Sequence, residues 1–204
     1  NWKLALHMKQ KSIAALLFLT SLIPYWILYI LSDGLYLLLY YVFGYRKKVV
    51  FENLRNAFPE KTEEERITIA KKFYRYFPDI FLEAIKMKTI SAKEVVKRIE
   101  LLNPEEVYRH FEQGKGVIGV TAHYCNWELG IHRMSLMTDY PTLIIYKPLN
   151  NKPINAAYNA LRCRFGAVMV PMKQILRHIL RLKNKPHMSM IVADQTPTYQ
   201  DSDY

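Results

Sequence analysis

The sequence predicts an α/β fold, an αβα sandwich in which helices cover both faces of a parallel sheet, with an apolar helical segment at the N-terminus. Short apolar runs without polar alternation are typical of buried parallel strands, and segments of helical periodicity separate them. This alternation is the pattern of layered α/β domains. The predicted strands are Val117–Thr121, Thr142–Tyr146, Ala167–Val170 and Met188–Ala193. The predicted helices between them are Trp127–Met137, Ile154–Arg164 and Met172–Leu182.

Composition restricts the class of partner. The 204 residues are 50% hydrophobic and carry a net charge of +11, with an isoelectric point near 9.5. A basic chain favours an anionic partner, and the apolar N-terminus favours a membrane surface over nucleic acid, for which no binding signature is present. Two cysteines without a CxxC pair indicate reduced thiols. The chain lacks an initiator Met and stops in polar residues, so we expect a longer protein whose C-terminal part is missing.

Two apolar runs before residue 45 predict a membrane anchor or hairpin. Ile13–Leu31 carries no charge and is broken only by Pro24, and Leu35–Phe43 follows after Ser32-Asp33-Gly34. The first run is about long enough to cross a ~30 Å hydrocarbon core, whereas the second is too short to cross alone. Basic residues flank both ends, which fits a hairpin with both ends in the cytoplasm. We therefore expect an anchor at residues 1–45 and a folded domain at residues 46–204.

The N-terminal apolar segment has two alternative interpretations. A cleaved signal peptide is disfavoured because the first run ends in the bulky residues Tyr25, Trp26 and Tyr29 instead of a small-x-small site. A buried helix pair in a soluble core remains open.

Helix signals follow the apolar segment. Thr62 and Glu65 have the spacing of a capping box, and Pro78 is predicted to kink or interrupt the helix that begins there. Asn103, followed by Pro104, predicts the N-cap of a further helix.

The chemistry concentrates between Gly116 and Gly130. His123 lies just beyond a predicted buried strand, the end at which open α/β sheets form their sites. Glu128 follows five residues later, and a continuous helix would place these two side chains about 140° apart. If Asn126 caps a new helix, the strand turns into that helix between them and the side chains meet. Glu128 would then orient the imidazole while His123 accepts a proton from an attacking hydroxyl.

An ordered set of motifs makes the chain resemble the lipid A biosynthesis acyltransferases, the late lauroyl and myristoyl transferases of the HX4(D/E) glycerolipid acyltransferase superfamily. His123-x4-Glu128 matches the superfamily motif, and the similarity covers nearly the whole chain. The other matching segments are residues 45–50 (YRKKVV), 53–59 (NLRNAFP), 123–130 (HYCNWELG), 146–149 (YKPL), 162–166 (RCRFG) and 193–195 (ADQ). This resemblance implies the αβα fold of glycerolipid acyltransferases for residues 46–204.

The resemblance also implies a reaction and a location. An acyl group would pass from acyl-acyl carrier protein to a hydroxyl of a lipid A precursor, without metal, cofactor, covalent acyl-enzyme or nucleic acid. The enzyme would lie in the bacterial cell inner membrane with its catalytic domain on the cytoplasmic side. By position, His123 is the base, Glu128 its partner and Arg162 the third catalytic residue, a guanidinium for phosphate or the oxyanion. The candidate substrate-binding residues are Arg164, Lys147, Asn126 and Asp194.

One departure leaves the acceptor open. Lys147 stands where the family often has arginine, so the planar two-point contact of a guanidinium is lost. A lysophospholipid or an aminolipid is therefore the alternative acceptor. An alternative from another class is a catalytically silent membrane scaffold or lipid-binding protein.

Other polar residues have weaker functional interpretations. Cys125 could act as a nucleophilic thiol, although a free cysteine is more often a small packing residue. His132 could share a helix face with Glu128, but a metal site would need a third ligand at a typical spacing. A basic cluster could dock carrier protein or lipid headgroups, or form a solvated face: Arg177, His178, Arg181, Lys183 and Lys185.

Overall fold

The computed structural model describes residues 15–195, and their contacts divide the chain into two compact units with a boundary between Thr89 and Ile90. This boundary lies further along the chain than the one predicted after residue 45. The start of the first apolar run and its preceding lysines lie outside the described residues, as do residues 196–204.

The first unit, as far as it is described, is helical. Helix α1 covers residues 15–22. Helix α2 spans Tyr25–Leu37 and continues as a π-helical segment, Leu38–Val42. Helices α3 and α4 span Lys47–Ala57 and Glu63–Lys86.

The apolar segment is broken at Pro24, between α1 and α2. Ser32-Asp33-Gly34, which separates the two apolar runs in the sequence, lies inside the continuous helix α2 and contacts α4. Ser32 is buried, and Asp33 forms an ion pair with Arg75 of α4 at 3.0 Å. Such tertiary contacts override the weak helix propensity of a Ser-Asp-Gly segment.

Two backbone carbonyls next to the break at Pro24 accept hydrogen bonds from a side chain of α4. The Lys86 ammonium donates hydrogen bonds to the carbonyls of Ser21 and Ile23, at 2.8 and 2.7 Å. Cationic side chains stabilise the carbonyls at a helix C-terminus in this way. By length and composition the stretch Tyr25–Val42, with a mean hydropathy of 1.3, could cross a membrane. The anchor itself stays a prediction.

Helix α4 begins as predicted but is not interrupted. The Thr62 hydroxyl accepts from the Glu65 N–H while the Glu65 carboxylate accepts from the Thr62 N–H, which confirms the capping box. Pro78 lies buried inside the continuous helix. Contacts with α2 hold α4 on both sides of the proline, through Arg75 before it and through Glu83, which accepts from the Tyr29 hydroxyl at 2.7 Å.

The second unit contains the parallel sheet that the sequence predicts. Its strands are β1 Val117–Thr121, β2 Thr142–Tyr146, β3 Val168–Pro171 and β4 Met188–Val192, in the order β1-β4-β2-β3. Its α-helices are α5 Ala92–Arg98, α6 Glu105–Glu112, α7 Trp127–Ser135, α8 Lys152–Arg162 and α9 Ile175–Arg181. All three strand pairings are parallel. Placement of helices on both faces stays a prediction.

Two features position the ends of these elements. Phe111, Met137 and Met188 form a buried cluster that packs α6 and the segment after α7 against β4. Asn103 is not the side-chain cap of α6 that the sequence predicts. It adopts a left-handed backbone, and its carbonyl accepts from the Glu106 N–H at 3.2 Å.

Candidate active site

The segment from 121 to 127 changes abruptly from strand to helix. Strand β1 ends at Thr121 and α7 begins at Trp127. The Asn126 side-chain oxygen accepts from the Leu129 N–H at 2.9 Å, so the predicted N-cap is confirmed. Cys125 has φ of +50°, a left-handed conformation that is uncommon for a residue with a side chain. The turn therefore depends on one strained residue, placed between His123 and the helix cap.

The carboxylate that contacts the His123 imidazole is that of Asp194. Nδ1 of His123 lies 2.8 Å from Oδ1 of Asp194, and the His123 backbone N–H donates to Oδ2 at 2.9 Å. Because a carboxylate only accepts, Nδ1 carries the hydrogen of this contact, and Nε2 is the nitrogen left to accept a proton. These hydrogen bonds, the backbone one first, hold the pKa of Asp194 below its usual value, so it stays ionised.

Strand register explains this contact. Strands β1 and β4 are neighbours in which Thr121 pairs with Val192, and the Ala193 N–H donates to the Thr121 carbonyl at 3.0 Å. His123 and Asp194 each stand two residues beyond this pair. Parallel strands that end in register bring the residues that follow them together. The Trp127 indole then packs edge-on against the imidazole, with ring centroids 4.9 Å apart.

Glu128 has a different partner from the one the sequence predicts. Its carboxylate accepts from both Nε and Nη2 of Arg162, the Nε contact being 2.8 Å. Among the described residues no hydrogen bond or ion pair joins His123 to Glu128, so the predicted orientation of the imidazole by Glu128 is corrected. The physical reason is competition: a guanidinium offers a carboxylate two parallel charged hydrogen bonds, whereas an imidazole offers one.

The Glu128–Arg162 pair is buried, with side-chain exposures of 4% and 16%. Charges survive at such depth only when they are paired. The Arg162 guanidinium also lies over the Tyr158 ring, 4.4 Å from its centroid. Burial and the nearby Glu128 carboxylate raise the pKa of Tyr158 to about 12, so its hydroxyl stays protonated at neutral pH.

His123, Glu128 and Arg162 all line one cavity of about 770 Å³. This lies within the usual size range of small-molecule sites, about 300–1,000 Å³. Lys147 also lines it, whereas Asn126, Arg164 and Asp194 are not among its lining residues. Most of the wall is apolar: Ile99, Ile131, Met134, Ile144, Ile145, Leu149, Met172, Ile175, Met190, Ile191 and Val192. An apolar cavity that also presents a few polar side chains suits an amphipathic substrate.

The remaining predicted residues have structural contacts of their own. Arg164 is exposed and its guanidinium lies 4.8 Å from the centroid of the Phe165 ring. Asn126 caps α7 through its side-chain oxygen. Cys125 and Cys163 are exposed free thiols. Substrate binding by Asn126, Arg164, Lys147 and Asp194 stays a prediction.

Comparison with known proteins identifies the family of the chain. The profile of the bacterial lipid A biosynthesis acyltransferases matches residues 5–203. The chain belongs to this family. Among curated acyltransferases of lipid A biosynthesis, the lauroyltransferase of Escherichia coli (strain K12) is 26% identical over 167 residues, which cover 82% of the chain. The match covers 54% of that relative, so this family member spans about half the length of the curated protein it matches.

Sequence reasoning about this acyltransferase family member missed three contacts. Asp194 is predicted to bind substrate, although its place two residues after a strand that neighbours β1 is the signal for a partner of His123. The sequence predicts no site role for Tyr158 or Trp127. Tyr158 stands four residues before Arg162 on the same helix, a spacing at which an aromatic ring can support a guanidinium.

Proposed function

We propose that the protein transfers a fatty acyl chain from acyl-acyl carrier protein to a hydroxyl of a lipid A precursor, at the cytoplasmic side of the bacterial inner membrane. One observation carries the proposal: an imidazole held by an ionised carboxylate lines a large apolar cavity. Family membership supplies the reaction class and the lipid acceptor, and the apolar wall suits an acyl chain.

The proposed reaction is a direct transfer with His123 as general base. Asp194 accepts the hydrogen of Nδ1, and Nε2 takes the proton of the acceptor hydroxyl as its oxygen attacks the donor thioester carbonyl. The new C–O bond forms a tetrahedral intermediate. The C–S bond then breaks, and the imidazolium returns the proton to the leaving thiolate. The products are the ester and the free carrier-protein thiol.

Arg162 and Glu128 act together in this proposal. The guanidinium stabilises negative charge, either on the oxyanion of the intermediate or on a phosphate of the acceptor. Glu128 fixes the guanidinium through two hydrogen bonds and thereby presets the position of the charge. The Tyr158 ring packs against the Arg162 guanidinium and supports it from one side.

The test uses the full-length protein in membranes. We expect His123→Ala to lose acyl transfer from acyl-acyl carrier protein while the protein stays folded and membrane-associated. His110→Ala is the matched control, because His110 lies on α6 and is not among the residues that line the cavity. Full activity of His123→Ala would reject the mechanism.

Lys147 supports a second acceptor. This ammonium lines the cavity where the family often has arginine, and a point charge suits the single phosphate of a lysophospholipid. Lipid extracts of a deletion strain distinguish the two acceptors. Loss of one acyl chain from lipid A supports the first acceptor, and unchanged lipid A with altered phospholipids supports the second.

A further inference from the structure

His132 is a fully buried imidazole without a role in the proposed reaction. It lies on α7 one turn after Glu128 and has no exposed surface. Its Nε2 lies 2.9 Å from the Leu161 carbonyl oxygen. Because a carbonyl only accepts, Nε2 carries the hydrogen and donates it. Burial lowers the pKa of His132, which favours the neutral ring, and the carbonyl acceptor favours the tautomer with its hydrogen on Nε2.

Leu161 is the residue immediately before Arg162, in the last turn of α8. The carbonyls of a final helical turn lack intrahelical partners and need others. The Leu161 carbonyl is near the Cys163 N–H at the helix end, and the His132 ring supplies it with a side-chain donor. Helix α7 therefore holds the end of α8 at two points, through the Glu128 carboxylate on the Arg162 side chain and through the His132 ring on the adjacent backbone.

The environment of the second ring nitrogen, Nδ1, indicates that the hydrogen bond from Nε2 is the reason for a histidine at position 132. Nδ1 of His132 is buried and has no hydrogen-bond partner among the described residues. An apolar side chain would fill the same space without leaving a polar atom unsatisfied. The Phe165 ring, which packs edge-on at 4.9 Å, already provides an apolar neighbour. The Nε2–H donor is the one feature that an apolar residue cannot replace.

We propose that His132 is a positioning residue for Arg162. By holding the Leu161 carbonyl, His132 fixes the position of the last turn of α8 and therefore the backbone of Arg162. Glu128 fixes the direction of the Arg162 side chain. The consequence for catalysis rests on the proposed function of Arg162. The consequence for the order of the helix end does not.

The kinetic test compares a donor with two apolar replacements. His132→Gln keeps an N–H near the position of Nε2, whereas His132→Phe and His132→Leu remove it. Because small misplacements of catalytic groups are costly, kcat/KM is expected to fall about 10- to 100-fold in the apolar variants and less than about threefold in His132→Gln. The same kcat/KM in all three variants would overturn the proposal.

A double-mutant cycle separates positioning from general damage. In an Arg162→Lys background the planar fork is already lost. His132→Phe is then expected to reduce activity less than about twofold further, since the two residues act through one group. Losses that multiply independently would show that His132 does not act through Arg162.

Amide hydrogen exchange of the peptide spanning 158–166 is the readout that needs no turnover. Exchange is expected to accelerate in His132→Phe and His132→Leu but not in His132→Gln, with the peptide spanning 105–112 as an internal control. Unchanged exchange in both apolar variants would refute the positioning role. If the wild-type protein transfers no acyl group, the proposed function fails, and the exchange result still decides the role of His132.

Discussion

Asp194 holds His123 by two hydrogen bonds, one from the imidazole Nδ1 at 2.8 Å and one from the backbone N–H at 2.9 Å. The first fixes the tautomer and the second fixes the residue that carries the ring. Both carboxylate oxygens are therefore engaged by a single partner residue, which leaves Nε2 as the nitrogen that can accept a proton.

Asp194→Asn is expected to reduce kcat strongly. The amide can donate a hydrogen bond to Nδ1 and so favour the tautomer with its hydrogen on Nε2, the wrong one for a base. A loss of about 10²- to 10⁴-fold is expected, since the analogous change in serine protease triads costs about 10⁴-fold. The measurement is single-turnover acyl transfer with wild-type and variant protein.

Asp139→Asn is the matched control for this change. Asp139 is exposed on the same unit and is not among the residues that line the cavity. It is expected to leave kcat at the wild-type value. Wild-type kcat in Asp194→Asn would remove Asp194 from the mechanism.

The buried pair predicts unequal stability effects of two arginine substitutions. Arg162→Ala leaves the Glu128 carboxylate buried without a partner and is expected to lower the free energy of unfolding by about 3–5 kcal/mol. Arg109→Ala removes an ion pair with Glu106 whose side chains are 60% and 63% exposed, and is expected to cost about 1 kcal/mol or less. Denaturant titration in detergent measures both. Equal small losses would show that the pair is solvated.

Substitutions of Cys125 are expected to change the stability of the turn and not the chemistry of acyl transfer. Its φ of +50° suits glycine, so Cys125→Gly is expected to be tolerated, whereas a β-branched Cys125→Val is expected to cost about 1–2 kcal/mol. Cys163→Val, at φ of −76°, is the control without this strain. Cys125→Ala is expected to retain acyl transfer. A trapped acyl-thioester on Cys125 would instead establish a nucleophilic thiol.

His132 predicts how stability depends on pH. Burial lowers its pKa from the ordinary value of 6.5, opposed by the hydrogen bond to the Leu161 carbonyl and by the Glu128 charge, and assisted by the Arg164 charge. The unfolded chain therefore binds a proton first as pH falls. Stability is fully present above pH 6.5 and decreases as pH falls from there toward the lower folded-state pKa.

The comparison with His132→Gln isolates this contribution. Glutamine does not titrate, so the decrease in unfolding free energy between pH 7.5 and pH 5.5 is expected to be smaller in the variant, by at most about 1.4 kcal/mol for each unit of pKa shift. Thermal or denaturant unfolding across this range provides the measurement. Parallel curves for the two proteins would contradict a buried neutral imidazole.

Local patterns predicted much of the second unit. Continuous apolar runs located the parallel strands, and the Asn126 cap located the turn into α7. These features depend on neighbouring residues, so the sequence is sufficient to find them. The position of His123 beyond a strand followed from the same reasoning.

Contacts between residues distant in the sequence explain where the sequence-based predictions differ from the structure. The sequence pattern predicts Glu128 as the partner of His123, whereas the contact with Asp194 depends on strand register and on the position of Arg162. Similarly, Ser32-Asp33-Gly34 separates two apolar runs in the sequence, whereas α2 runs through it with Asp33 paired to Arg75 of α4. No pattern confined to one segment contains this information.

The shared offset of two residues beyond β1 and β4 makes the contact between the His123 imidazole and the Asp194 carboxylate a property of the sheet, not of any contiguous stretch. The partner of His123 lies 71 residues away along the chain. A homologue that gained or lost one residue at either junction would part imidazole from carboxylate while its H-x4-E signature stayed intact. Such a chain would be recognised as a relative and yet lack the carboxylate contact that fixes its imidazole.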